Sequence, residues 1–322
     1  MQIAIQILLL ILGFVLLVKG ASWLVDGASG IAERAGVPKL VIGLTIVAMG
    51  TSAPEAAISI SAAVKGSAAI AVGNVLGSNI LNILVILGLT AVTCPLSVHE
   101  STIKYEIPFV FFVTVIFALL GLTDQELGRV DGAILWVLFI AYLSYLYYMS
   151  ANHRAHKHKA AEPDPAEVRR QSRPVWQLLI MFAVGVALVI IGSNIAVDAA
   201  TAIARIAGIS ERIIGLTIVA LGTSLPELVT SLTAARKKEA DIAVGNIVGS
   251  NIFNLLFVIG TAALISPVAY EAKFMVDSIV AIACSVLLWV CVVFHKRRVL
   301  QRWGGVIMLV CYALYFGYLL PL

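Results

Sequence analysis

Ten long apolar segments alternate with short polar stretches along the chain, and one longer polar stretch, 151–174, separates the fifth segment from the sixth. A helix that crosses a bilayer needs about 20 predominantly apolar residues, so each segment predicts one transmembrane helix. The segments lie at 4–28, 39–64, 69–91, 104–121, 130–150, 175–203, 211–235, 241–266, 273–294 and 303–320. The pattern predicts an all-α membrane protein with a first half at 1–150, a linker at 151–174 and a second half at 175–322.

The composition agrees with a membrane protein. Apolar residues make up 61% of the chain and charged residues 12%, and the mean hydropathy is +1.01. Soluble domains hold about 45–50% apolar and about 25% charged residues, so a soluble enzyme, a nucleic-acid binder and a disordered scaffold are excluded. The first segment lacks a positively charged start and a small-residue cleavage site, so we expect a retained helix and no signal peptide. The four cysteines form no C-x-x-C pair and are expected to be packing residues.

Lysine and arginine are distributed unevenly between alternate loops. Loops of one parity hold sixteen of them, including those of the linker, and loops of the other parity hold five: Lys65, Arg129, Arg205, Arg212 and Lys273. The positive-inside rule assigns the richer set to the cytoplasm, so both termini are expected on the other side. The linker also carries three histidines among basic residues, which fits a solvated basic loop beside anionic lipid better than a metal-sensing tract.

An internal repeat dominates the sequence. Residues 40–90 and 212–262 align without gaps at an offset of 172, with 29 of 51 positions identical. Each copy covers the second and third apolar segments of a five-segment half. Because five is odd, the second half must enter the membrane from the opposite face, which predicts ten helices in two inverted-topology five-helix repeats. Inverted repeats with interrupted helices are typical of secondary transporters that work by alternating access, with the site near the midplane.

The repeated motif G-T-S-x-P-E places a carboxylate at membrane depth in each half, as Glu55 and Glu227. A carboxylate there costs at least about 2.5 kcal/mol, and no Lys or Arg occurs at matching depth in either repeat. These glutamates are therefore predicted to bind a cation or a proton. Pro54 and Pro226 break their helices one turn after Gly50 and Gly222, which frees main-chain carbonyls near these positions.

Helical spacing places further oxygen atoms beside the glutamates. Thr51 and Ser52 precede Glu55 by four and three residues, and Thr223 and Ser224 repeat this before Glu227. The next segment of each half carries an i, i+4 stripe: Asn74, Ser78 and Asn82 in one, and Asn246, Ser250 and Asn254 in the other. For Asn74 and Asn246, helix-to-helix bonding is as good an interpretation as ion contact. A set of only oxygen ligands favours a hard cation, and a flexible set of six to eight suits Ca²⁺ better than Mg²⁺.

The doubled GTSxPE…GNxxGSNxxN pattern resembles the repeats of the sodium/calcium exchanger family, within the cation/calcium exchanger superfamily, and the short chain resembles a prokaryotic member. The resemblance covers almost the whole chain. It implies export of Ca²⁺ in exchange for Na⁺, with the lipid bilayer around a monomer and no cofactor. It also implies that the first and sixth helices slide across the rest.

The resemblance implies a role for each motif residue. The central ligands would be Glu55, Asn82, Glu227 and Asn254. The flanking sodium positions would use the Ala48 carbonyl with Thr51, Ser52 and Ser78, and the Ala220 carbonyl with Thr223, Ser224 and Ser250. Some relatives, including the potassium-dependent branch, carry Asp where this chain has Asn254, which argues against potassium dependence and leaves only two carboxylates.

Three other functions are weighed against a Na⁺/Ca²⁺ antiporter. The nearest is H⁺/Ca²⁺ exchange, with the glutamates shuttling protons. A cation channel would conduct without a counter-ion. An intramembrane hydrolase using Ser52 or Ser224 is disfavoured, because the sequence places no His or Lys base in reach to activate the serine. We therefore expect a transporter and no enzymatic activity.

Overall fold

The computed structural model describes residues 2–66, 69–156, 173–208, 220–294 and 298–319, and these residues are nearly all helical. Eight helices in this part are long and apolar enough to cross a membrane, or nine when a bent pair is counted as one span. The chain is thus an all-helical membrane protein. The predicted segment 211–235 falls partly outside the described residues, as does most of the linker 151–174. The count of ten spans therefore stays a prediction.

Twelve helices and four short strands make up the described fold. The helices are α1 Gln2–Ala35, α2 Lys39–Thr51, α3 Ala53–Val64, α4 Ile70–Thr93, α5 Thr102–Thr123, α6 Arg129–His156, α7 Val175–Ile206, α8 Ala220–Thr223, α9 Leu225–Arg236, α10 Ala240–Ile265, α11 Ala272–Val293 and α12 Arg302–Leu319. The strands are β1 Leu96–Ser97, β2 Glu126–Leu127, β3 Val268–Ala269 and β4 Val299–Leu300. Helix α6 continues to His156, beyond the predicted end at 150.

The two longest helices, α1 and α7, run antiparallel and in close contact. Glycines make this approach possible: a Cβ at Gly13 would lie 2.7 Å from the Ala196 nitrogen, and one at Gly192 would lie 2.8 Å from the Gly13 carbonyl oxygen. Helix interfaces in membranes gain much of their stability from such close backbone packing at small residues. The pair corresponds to the first and sixth predicted helices.

The short strands pair loops that the charge distribution assigns to the same side. Strand β1 pairs antiparallel with β4, and β2 pairs antiparallel with β3. Each ribbon thus joins two loops of equal parity at one end of the bundle. Beside the β1–β4 ribbon, Lys104 and Arg298 form ion pairs with Glu100. These two cations, through hydrogen bonds and charge, lower the pKa of Glu100 to about 2, so its carboxylate stays charged at neutral pH.

The repeat helices α4 and α10 form the centre of the bundle. They cross antiparallel, since Asn79 contacts Asn254 while Asn82 contacts Asn251. Both helices widen into a π-helical segment in the middle, Asn82–Leu87 in α4 and Asn254–Ile259 in α10. Single π-helical turns inside α-helices are frequent at functional sites. Here each of them begins at one of the predicted ligand asparagines.

Candidate ion-binding site

Each G-T-S-x-P-E motif interrupts its helix at the serine. Helix α2 ends at Thr51 and α3 begins at Ala53 with a bend of 53° between them. Ser52, at the break, has φ −82° and ψ 7°. Ser224 has nearly the same backbone angles, φ −93° and ψ 4°, between α8 and α9. Proline in the first turn of α3 and of α9 accounts for both breaks, because it has no N–H to continue the preceding helix.

The breaks place Glu55 and Glu227 in the first turns of α3 and α9, where each is 1% exposed. The serines at the breaks bind across the two halves. Ser52 Oγ donates a 2.7 Å hydrogen bond to Glu227 Oε1, and Ser224 Oγ lies 3.5 Å from Glu55 Oε1. Within the described residues neither carboxylate has an ion pair. Two buried acids without a basic partner require a cation or protons to neutralise them.

Four buried acceptor oxygens of the predicted central ligands have no hydrogen-bond partner among the described residues. They are Oε2 of Glu55, Oε2 of Glu227, Oδ1 of Asn82 and Oδ1 of Asn254. Each half supplies one carboxylate oxygen and one amide oxygen, and all four residues are 1% exposed. An unsatisfied buried acceptor costs about 1–3 kcal/mol. Each of the four oxygens offers only lone pairs, as the oxygen ligands of a hard cation do.

Asn79 and Asn251 accept hydrogen bonds from the side-chain amides of Asn254 and Asn82, two of the predicted ligands. Asn82 Nδ2 donates to Asn251 Oδ1 at 3.0 Å, and Asn254 Nδ2 donates to Asn79 Oδ1 at 3.2 Å. Asn79 and Asn251 also donate to each other's backbone carbonyls, at 3.0 and 3.1 Å. With both amide nitrogens held this way, the Oδ1 atoms of Asn82 and Asn254 are left without a hydrogen-bond partner among the described residues.

The sequence reasoning missed Asn79 and Asn251. The available signal was the first Asn of G-S-N-x-x-N, which is identical in both repeats. Each lies one position away from the i, i+4 stripe of its helix, so the stripe that marks that helix face does not include it. Only the contact between the two halves shows what these residues do.

Three of the flanking residues predicted to bind sodium lie at one contact between helices, and three others lie on α4 and α8. Thr51 Oγ1 donates toward the Ala48 carbonyl at 3.2 Å and the Asn246 Oδ1 at 3.0 Å, and Ser250 Oγ lies 3.5 Å from the Ala48 carbonyl. These contacts join α2 to α10. Ser78 is buried on α4, Thr223 ends α8, and Ala220 begins it.

Two features favour structural roles over ion contact at the edges of the site. Asn74 Nδ2 donates to Ser59 Oγ at 2.9 Å, and Asn246 Nδ2 donates to Ser231 Oγ at 3.0 Å. Both asparagines therefore link helices within their own half. The Gly222 carbonyl, one of those expected to be freed by Pro226, accepts a 2.8 Å hydrogen bond from Ser193 Oγ of α7.

The comparison with known families agrees with this geometry. The sequence model described as "Sodium/calcium exchanger protein" matches residues 5–148 and 177–320. The chain belongs to this family. Exchangers of the family are membrane transporters, so the protein is a multi-pass integral membrane protein of the transporter class.

Several relatives that match this exchanger-family protein over most of its length are prokaryotic. The "Putative antiporter CaxA" of Alkalimonas amylolytica is 41% identical over 94% of both chains. The "Inner membrane protein YrbG" of Escherichia coli is 39% identical over 87% of this chain and 88% of that protein. The "Sodium/calcium exchanger MaX1" of Methanosarcina acetivorans is 31% identical over 97% of both.

The fold also matches that of a solved exchanger. The sodium-calcium exchanger NCX_Mj, in a crystal soaked with Na⁺ and Sr²⁺, superposes with a TM-score of 0.81 at 31% identity. The match covers 98% of this chain and 99% of that one. Crystals of the same exchanger soaked with Na⁺ and Ca²⁺ match equally well, with a TM-score of 0.81.

Proposed function

We propose that this protein exchanges Na⁺ for Ca²⁺ across the membrane by alternating access, with the ions bound in turn between its two halves. The observation that carries the proposal is the set of four buried oxygens without a hydrogen-bond partner, on Glu55, Asn82, Glu227 and Asn254. The naming of MaX1 and of NCX_Mj as sodium/calcium exchangers supports the choice of ions.

The charge and ligand type at the site fit both ions. Two carboxylates neutralise one Ca²⁺ or two Na⁺, and Ca²⁺ takes about six to eight oxygen ligands in flexible arrangements. The central set supplies four free oxygens, and further ligands would come from flanking positions. We assign the sodium positions to Thr51, Ser52, Ser78 and the Ala48 carbonyl, and to Thr223, Ser224, Ser250 and the Ala220 carbonyl. Because the same carboxylates serve both ions, one ion must leave before the other binds.

The proposed topology follows from the repeat and the loop charges. Ten helices form two inverted five-helix halves, with residues 151–174 in the cytoplasm and both termini on the other side. The ribbons β1–β4 and β2–β3, each joining loops of equal parity, support this alternation. The name of the relative YrbG supports an inner-membrane location. All proposed ligands belong to one chain, so a monomer is sufficient, and no cofactor is required.

We expect ⁴⁵Ca²⁺ uptake into proteoliposomes that are loaded with Na⁺ and diluted into Na⁺-free buffer. Vesicles loaded with K⁺, and K⁺-loaded vesicles with an imposed pH gradient, serve as controls. Uptake in the Na⁺-loaded vesicles alone supports Na⁺/Ca²⁺ exchange. Uptake driven only by the pH gradient would replace Na⁺ by H⁺ as the coupling ion, and uptake in every vesicle would indicate a channel.

A further inference from the structure

An ion pair ties α1 to the turn that follows α9. Lys237 Nζ lies 2.8 Å from Asp26 Oδ2. The same nitrogen donates to the backbone carbonyl and to the hydroxyl of Ser22, at 2.9 and 2.8 Å. Three acceptors within two turns of α1 therefore hold one ammonium group. None of these residues belongs to the ion-binding site.

The internal repeat gives this ion pair a counterpart in the other half. At the offset of 172, Asp26 corresponds to Asp198 of α7, and Lys237 corresponds to Lys65 in the turn after α3. The alignment holds over these helices, because nine of the 23 positions in 13–35 are identical to those in 185–207. The two turns also share their backbone form, since Gly66 and Lys238, one residue after each lysine, have positive φ of 74° and 62°.

The counterpart is not formed in this structure. The side chains of Lys65 and Asp198 are both exposed and make no ion pair or hydrogen bond with any residue in the described ranges. Packing differs in the same way: α1 packs closely against α9, whereas α7 makes few contacts with α3. Of two contacts that the repeat makes equivalent, Asp26–Lys237 is thus formed and Asp198–Lys65 is not.

The two contacts lie at opposite ends of the bundle. The turn with Lys65 precedes α4, whose beginning packs against β3. The turn with Lys237 precedes α10, which contacts β1. Since α1 and α7 run antiparallel, Asp26 and Asp198 also lie toward opposite ends. A contact that closes one end in this structure therefore has its equivalent at the other end.

We propose that Asp26–Lys237 and Asp198–Lys65 are reciprocal latches, of which one is closed in each of the two alternating-access states. Asp26–Lys237 stabilises the state seen here, in which the end that we assign to the cytoplasm is shut. Asp198–Lys65 forms in the opposite state and shuts the other end. The inference rests on the proposed alternating-access function, because latches of this kind have a role only if both states are visited.

Opposite effects of equivalent substitutions test the latches. A ligand that binds from one face requires the state open to that face, so its apparent affinity falls with the population of that state. We expect Asp26→Asn to raise the external Ca²⁺ concentration that gives half-maximal flux about two- to fivefold. The effect is of this size because a partly exposed ion pair contributes little free energy. The same change should lower the cytoplasmic Ca²⁺ concentration that gives half-maximal flux, measured in inverted vesicles. Asp198→Asn should lower the external concentration and raise the cytoplasmic one.

Two further variants separate a latch from general damage. Lys238→Gln removes a neighbouring exposed charge and should leave both half-maximal concentrations unchanged. Exchanging the charges, Asp26→Lys with Lys237→Asp, should restore the wild-type values that Lys237→Asp alone disturbs. Shifts of the same sign for Asp26→Asn and Asp198→Asn, or no rescue by the exchange, would overturn the proposal.

A cross-linking measurement works without transport and so separates this inference from the proposed function. Lys65→Cys with Asp198→Cys, in full-length protein whose four native cysteines are replaced by alanine, is treated with a short bifunctional thiol reagent. We expect slow cross-linking that becomes two- to fivefold faster when Asp26→Asn is added. An unchanged rate would contradict the latch even if Na⁺/Ca²⁺ exchange is observed. An accelerated rate in a protein that moves no Ca²⁺ would keep the latch and reject the proposed transport.

Discussion

Replacing either Glu55 or Glu227 with glutamine is expected to abolish Na⁺-driven Ca²⁺ uptake. Glutamine keeps the size of the side chain but removes one of the two charges that neutralise the ion, and no other acid replaces it among the described residues of the site. Truncating one partner of a buried charge pair costs about 2–5 kcal/mol, which lowers ion binding by roughly 30-fold or more. The measurement is the initial rate of ⁴⁵Ca²⁺ uptake in Na⁺-loaded proteoliposomes.

Glu126→Gln is the matched control, because Glu126 is an exposed glutamate of the β2–β3 ribbon. We expect wild-type uptake from this variant. Size-exclusion profiles and melting temperatures show whether each variant is folded. Normal uptake by folded Glu55→Gln or Glu227→Gln protein would refute the assignment of these carboxylates to the ion.

Replacing Asn251 or Asn79 with alanine is expected to weaken Ca²⁺ binding about 10- to 100-fold, as removal of the residues that orient metal ligands does elsewhere. Neither residue is a proposed ligand. Asn251 accepts the amide hydrogen of Asn82 at 3.0 Å, and Asn79 accepts that of Asn254 at 3.2 Å. Without this partner the amide rotates freely, and its oxygen no longer faces the ion. The measurement is the Ca²⁺ concentration for half-maximal uptake.

A rescue separates this positioning role from general destabilisation. A carboxylate offers two equivalent oxygens and needs no fixed orientation, so Asn251→Ala should cost much less in an Asn82→Asp background than in the wild type. An equal loss in both backgrounds would show that Asn251 serves only packing. An unchanged half-maximal concentration in folded Asn251→Ala and Asn79→Ala proteins would likewise reject the positioning role.

The sequence determined much of the fold because its strongest signals are local. Long apolar segments predict helices, and proline removes a backbone donor wherever it occurs, so a break in the turn around each of Pro54 and Pro226 was predicted. The structure places both breaks at the serines, Ser52 and Ser224. The family was also recognisable, since the doubled motif combines these local features with a fixed spacing.

The contacts between the halves could not be predicted from spacing. The interpretation assigned Ser52 and Ser224 to the neighbourhood of their own glutamates, yet each lies against the glutamate of the other half. Asn79 and Asn251 were missed for the same reason, as their partners lie on the opposite repeat helix. Helical periodicity orders residues around one axis only, and the angle at which two helices cross depends on the packing of the whole bundle.

The most direct test of the account is equilibrium binding of ⁴⁵Ca²⁺ to the purified protein, titrated with Na⁺ and separately with K⁺. The account predicts one Ca²⁺ per chain, complete displacement by Na⁺ with a Hill coefficient above one, and no displacement by K⁺. The reason is that two Na⁺ ions must share the carboxylates of Glu55 and Glu227 that one Ca²⁺ occupies. Ca²⁺ that stays bound at saturating Na⁺ would contradict the claim that both ions use one set of oxygens in turn.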